Sequence, residues 1–164
     1  RLVAVLATVR DPGNAGAVIR TADAAGADAV VLAGESVDLF NPKVVRSTAG
    51  SLFHLPVLRA PDLGGVLAAV RAAGCTVLAA DGSAPLDLDE LLDLAAAAGP
   101  EDRPSPDLRA ATAWLFGNEA RGLSAEELVL ADAAVRVPLR GSAESLNLAT
   151  AAAVCLYASG RAQR

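Results

Sequence analysis

The sequence predicts an α/β domain: a mostly parallel sheet with helices on both faces. Three observations point there. Short apolar runs alternate with stretches whose apolar residues recur at helical spacing. The runs are apolar throughout, as expected of strands covered on both sides. The 164 residues suit one domain with a sizeable core, and no repeat or low-complexity linker divides them.

In chain order, residues 2–8 form a buried strand, and Asp11-Pro12-Gly13-Asn14 is turn chemistry. Asn14 is placed to cap a helix running to about Ala25, with Val18, Ala22 and Ala25 as its apolar stripe. Residues 29–32 are a second strand. Asn41-Pro42 opens a short helix, with proline at the position that loses no hydrogen bond. A strand over 53–58, a helix over 63–72, a strand over 75–79 and a helix over 89–98 follow. Residues 99–107, rich in proline and acid, form a surface loop, with the longer stretch 91–108 a candidate insertion. Residues 112–116 are the fifth strand. Ser124 and Glu127 make a capping box for a short helix. Residues 133–137 are the sixth strand, and a last helix spans 146–159.

Composition narrows the function. With 53% hydrophobic residues and a net charge of −5, disorder is excluded. No apolar stretch approaches the ~18 residues of a membrane span, and no signal peptide is expected from residues 1–9, which run straight into a turn. Cys75 and Cys155 lie in apolar runs without C-x-x-C spacing, which reads as core cysteines in a reducing cytoplasm. One histidine, His54, and scattered acids assemble no metal site. The acidic balance argues mildly against nucleic acid, since dedicated binders show a basic stripe.

Three segments lie where predicted strands end, the place where ligands bind in open α/β sheets. In the first, 10–22, a glycine-containing turn feeds a helix N-terminus able to meet an anion, with Arg20 under two turns on. The plain alternative pairs Arg20 with Asp23 on a solvated face. In the second, 114–124, a strand empties into a turn holding Gly117, Glu119 and Gly122. Gly117 would let the backbone approach a flat ligand; otherwise this is a tight connection with Glu119 solvated. In the third, 135–149, a strand ends at Pro138 and a polar loop leads to Ser145 and Asn147. Ser145 is a natural cap, which leaves Asn147, inside a first turn that gains nothing from it, unexplained.

Together these segments resemble the SpoU/TrmH family of RNA 2′-O-ribose methyltransferases, within the SPOUT superfamily. The first family motif matches at Asn14, Gly16, Arg20 and Ala22. The second, Gly-x-Glu-x-x-Gly, matches at Gly117, Glu119 and Gly122. The third matches at Val137, Pro138, Ser145, Leu146 and Asn147. Arg46 to Gly50, through Phe53, His54 and Pro56, resembles the linking segment. Asp11 stands where the family usually has asparagine, and Leu139 where it often has methionine.

The resemblance implies a C-terminal trefoil knot and S-adenosylmethionine as cofactor. It would be held by Ala79, Ala80, Gly117, Asn118, Gly122, Val137, Pro138, Leu139, Ser145 and Leu146. It implies methyl transfer to a ribose 2′-hydroxyl of ribosomal or transfer RNA, with ribosomal RNA favoured. Arg20 would be the catalytic residue, oriented with the ribose by Asn14, Glu119, Ser145 and Asn147. It also implies a homodimer whose site borrows residues from the partner, and no metal or membrane. A chain that begins at Arg1 fits an excised catalytic domain whose RNA-recognition domain lies upstream. Two rivals remain. A dinucleotide-binding domain would want G-x-G-x-x-G, which Asp11 to Gly16 does not supply. A catalytically silent RNA-binding module of the same fold would keep the architecture alone.

Overall fold

Strand β1 (Leu2–Ala7) is buried along its whole length in the computed structural model, which describes residues 1–164. The elements that follow are α1 (Pro12–Ala25), β2 (Ala29–Ala33), α2 (Pro42–Ser47), a 3₁₀ turn (Ser51–Phe53), β3 (Val57–Ala60) and α3 (Leu63–Ala72). Then come β4 (Thr76–Ala80), β5 (Leu86–Asp87), α4 (Leu88–Ala97), β6 (Thr112–Phe116), α5 (Ala125–Leu128), β7 (Ala133–Arg136) and α6 (Leu148–Ala162). The sheet has seven strands in the order β3-β2-β1-β6-β4-β7-β5, and every pairing is parallel. All strand C-termini therefore emerge along one edge.

Alternating side chains divide the core into two layers. Leu2, Ala4, Leu6, Trp114 and Phe116 face one side, where α1, α4 and α6 pack. Val3, Val5, Ala7, Ala113 and Leu115 face the other, with Val66 and Leu67 of α3. Trp114 is fully buried, stacks on Phe116 at 6.3 Å, and donates its indole N–H to Ser159 Oγ at 2.9 Å. That bond satisfies both buried polar groups and fixes α6 on the sheet. Both cysteines are buried and unpaired, and burial pushes the Cys155 thiol up to about 12. No helix is long and apolar enough to cross a membrane.

Several boundaries differ from expectation. Asp11, not Asn14, caps α1: its carboxylate accepts the Asn14 amide at 2.7 Å, so the helix begins at Pro12. The stretch 53–58 is not one strand. Gly50, at φ 97°, turns the chain into the 3₁₀ turn, Phe53 is left 82% exposed, and pairing starts only after Pro56. The two-residue β5 went unforeseen because it is too short to show a period. The last helix starts at Leu148, with Asn147 rather than Ser145 as its cap; the Asn147 Oδ1 accepts from Ala149 and Thr150. The cap explains an asparagine that sequence alone left without a reason. The 99–107 loop is indeed irregular, and Arg109 gathers it by donating to Asp107 and to the carbonyls of Ala98, Gly99 and Asp102.

The capping box is present as expected, and Arg121 adds a pair of hydrogen bonds to Glu127 at 3.0 and 3.2 Å. Burial opposes ionisation of Glu127, but Arg121 and the Ser124 donors outweigh it and hold the carboxyl below the usual glutamate range. The Arg109 hydrogen bonds hold Asp107 low against the burial that opposes them. Both groups have folded values depressed below their unfolded ones. Their stabilisation is thus complete above about pH 5 and is lost as acid titrates them in the fold. Urea midpoints should be level from neutrality to about pH 5 and then fall. Glu127→Gln should soften that fall, and an identical acid profile in the variant would show that the group contributes nothing.

Candidate functional site

The site begins with a turn that the chain makes against itself. After β6, Asn118 and Gly122 exchange backbone hydrogen bonds at 3.1 and 2.8 Å, with Gly122 at φ 68°. A Cβ on Gly117 would lie 2.3 Å from the Gly122 carbonyl carbon. Glycine at 117 is therefore required by the turn's own backbone. The close approach at Gly117 is thus made to the chain's own turn, and Gly117 also lines the cavity described below.

This turn is tied to the loop between β1 and α1. Asn118 Nδ2 donates to the Thr8 carbonyl at 2.9 Å, while its Oδ1 accepts from Ala120 at 3.0 Å. The Glu119 carboxylate accepts the Asp11 amide at 2.8 Å and the Arg10 amide at 3.3 Å. It is not the solvated side chain of the plain reading. Glu119→Gln would replace one acceptor by a donor facing an amide. Exchange of the Arg10 and Asp11 amide protons should quicken about fivefold or more, the equivalent of ~1 kcal/mol. Unchanged exchange would deny Glu119 this anchoring role.

The third loop joins at α6. Asn147 Nδ2 donates to Asn14 Oδ1 at 3.0 Å, so the cap of α6 meets the first turn of α1. Between β7 and this contact, residues 137–146 make no backbone–backbone hydrogen bond. Their amides and carbonyls are free for water or a ligand.

The turn after β6 and the loop between β7 and α6, with the end of β4, enclose a cavity of about 280 Å³, close to the lower end of small-molecule sites. Its apolar walls include Phe116, Val135, Val137, Leu139 and Leu146, with Leu148 and Ala151 of α6. A flat heterocycle fits an apolar slot edged with free backbone donors and acceptors. Of the residues named from sequence, Ala80, Gly117, Asn118, Glu119, Gly122, Val137, Leu139, Ser145 and Leu146 line it.

Ala79, Pro138, Asn14 and Asn147 do not. Ala79 is fully buried on the α3 side, because neighbouring strand residues face opposite ways and Ala80 takes the cavity side. Phe116, Val135, Leu148 and Ala151, in strands and α6, also line it without having been expected, as do Asp81, Gly82, Ala120 and Glu144. The last four belong to loops, where no periodicity marks which way a side chain points.

Arg20 is not brought to the cavity. Six residues beyond Asn14, it lies about 9 Å further along α1 and roughly 120° around it. It shares the face of Gly16, where α2 packs so closely that a Cβ would fall 1.8 Å from Ser47 Oγ. Arg20 is exposed and makes no ion pair; Asp23 instead bonds His54 at 2.7 Å, contrary to the pairing with Arg20 that spacing allowed. No group of His, Cys, Asp and Glu side chains could hold a metal ion.

A family model described as the SpoU rRNA Methylase family matches residues 1–157. The chain belongs to the SpoU family. A 23S rRNA uridine 2′-O-methyltransferase of Streptomyces viridochromogenes is 40% identical over 92% of the chain and 49% of its own length. The 23S rRNA guanosine 2′-O-methyltransferase RlmP of Bacillus subtilis is 41% identical over 96% of the chain and 57% of its length. The crystal structure of the SpoU methyltransferase AviRb from S. viridochromogenes, in complex with the cofactor AdoMet, superposes with a TM-score of 0.81 at 38% identity. That match covers 97% of the chain and 59% of AviRb. The chain spans about half the length of the curated relatives it matches. The parallel sheet expected from sequence is thus the SpoU methyltransferase fold, and the dinucleotide-binding alternative falls.

Proposed function

We propose that this SpoU chain is the catalytic domain of an S-adenosylmethionine-dependent RNA 2′-O-ribose methyltransferase acting on ribosomal RNA. One observation carries the reading: the second and third motif segments line a single cavity with apolar walls and unengaged backbone groups along its 137–146 rim, and the first segment is hydrogen-bonded to both. The likeness to AviRb, crystallised with AdoMet, and to 23S rRNA methyltransferases supports it.

The residues present fit the cofactor. The slot between Phe116, Val135 and Leu148 suits adenine, the free amides and carbonyls around 137–146 suit its edge, and Asn118 and Ser145 stand at the polar rim. Bound there, S-adenosylmethionine supplies an electrophilic methyl group. The protein's remaining work is to position the ribose and to manage its proton. Asn14 and Asn147, joined at 3.0 Å, hold the mouth in shape. Arginine, with a pKa above ~12, is a poor base. Arg20 therefore holds the target phosphate and stabilises the emerging alkoxide, while the proton leaves to that phosphate or to water.

Because Arg20 points away from its own cavity, the complete site in this reading takes the partner's Arg20 in a homodimer. The return of the chain from β7 to α6 against α1 and β1 is compatible with a knotted crossing. Target choice rests with a separate RNA-recognition domain, and the protein works in the cytoplasm. Labelled cofactor incubated with ribosomal and transfer RNA tests the reading. Label should enter ribosomal RNA; cofactor binding without transfer to either RNA would favour the silent RNA-binding module.

A further inference from the structure

The charge of the cavity is one-sided. Its lining carries Asp81, Glu119 and Glu144 but no lysine, arginine or histidine. Two of the three carboxylates are already engaged. Glu119 takes the Arg10 and Asp11 amides, and Asp81 Oδ1 accepts from Ser83 N at 2.7 Å and Ser83 Oγ at 2.5 Å. Glu144 has no hydrogen-bond or ion-pair partner in the chain. The arginines nearest in sequence do not neutralise it: Arg136 pairs with Asp87 at 3.1 Å and Arg140 with Asp89 at 2.7 Å. Glu144 is thus the one free anion on the wall of a cavity without cations.

Given the cofactor reading above, on which this rests, we propose that Glu144 distinguishes S-adenosylmethionine from the demethylated product. The two ligands share adenosine, amine and carboxylate and differ by one methyl and one positive charge. Methyl transfer leaves the carbon–sulfur electron pair on sulfur and turns the sulfonium into a neutral thioether. The 2′-hydroxyl proton leaves as the oxygen–carbon bond forms. A free carboxylate on the wall attracts the cation before transfer and loses that attraction afterwards. Glu144 therefore favours loading of the cofactor and release of the product. Since the side chain is exposed, the preference is modest and screened by salt.

Calorimetric titration of wild type, Glu144→Gln and Glu144→Asp with S-adenosylmethionine and S-adenosylhomocysteine, at low and high salt, tests this. Glu144→Gln should weaken S-adenosylmethionine about three- to tenfold and leave S-adenosylhomocysteine within about twofold. Glu144→Asp, which keeps the charge, should retain most of the preference, and salt should erode it in wild type more than in Glu144→Gln. Retained S-adenosylhomocysteine binding reports an intact cavity. Parallel loss of both ligands, or an unchanged ratio between them, overturns the role of Glu144 and leaves the cofactor reading standing. A wild-type chain that binds neither ligand overturns both.

Discussion

Replacing Arg20 by alanine is expected to leave S-adenosylmethionine affinity nearly unchanged and to cut methyl transfer by ~100-fold or more, the low end for a positioned catalytic group. The first half follows from geometry, since Arg20 neither lines the cavity nor bonds anything that does. The fold should be indifferent too, because an exposed, unpaired arginine contributes little to stability. Arg20→Lys refines the assignment. If the guanidinium grips a phosphate with two parallel hydrogen bonds, lysine will not replace it. Most of the rate surviving in the lysine variant would instead reduce Arg20 to a point charge. Arg20→Ala with normal turnover would remove it from the reaction.

Gly117→Val should abolish cofactor binding, and the structure changes the reason. Because a Cβ at 117 would meet the Gly122 carbonyl carbon at 2.3 Å, the turn must open before any side chain fits. Opening it releases Asn118 from Thr8 and Glu119 from Arg10 and Asp11, so two of the three loops shift together. Overpacking of this kind costs about 1–3 kcal/mol, which a domain with two core layers should survive. The far-ultraviolet circular dichroism spectrum should therefore persist while S-adenosylmethionine affinity falls at least ~100-fold, beyond calorimetric detection. Unaltered affinity in the folded variant would separate the turn from the site.

The sheet was legible because its strands are short, apolar and regularly separated, and a buried parallel strand needs little more. The helix starts were less so. Asp11 and Asn14, or Ser145 and Asn147, are all competent caps, and only the path of the chain selects Asp11 and Asn147. The site was legible as three segments and not as an arrangement. Sequence order places Glu119 next to Asn118, but nothing in it announces that the carboxylate reaches back to Asp11. Arg20 is the sharpest case. Its motif marks it as functional, while helical geometry turns it away from the cavity of its own chain.

The central claim is that the cavity at the ends of β4, β6 and β7 serves methyl transfer to a ribose 2′-oxygen. The most direct measurement is the chemical identity of the product. RNA labelled by the protein from methyl-labelled S-adenosylmethionine would be digested to nucleosides and separated. The account predicts label in a 2′-O-methylated nucleoside, leaving an adjacent phosphodiester resistant to alkali, and loss of that label in Arg20→Ala. Label in a base-methylated nucleoside, or equal labelling by Arg20→Ala, would contradict it.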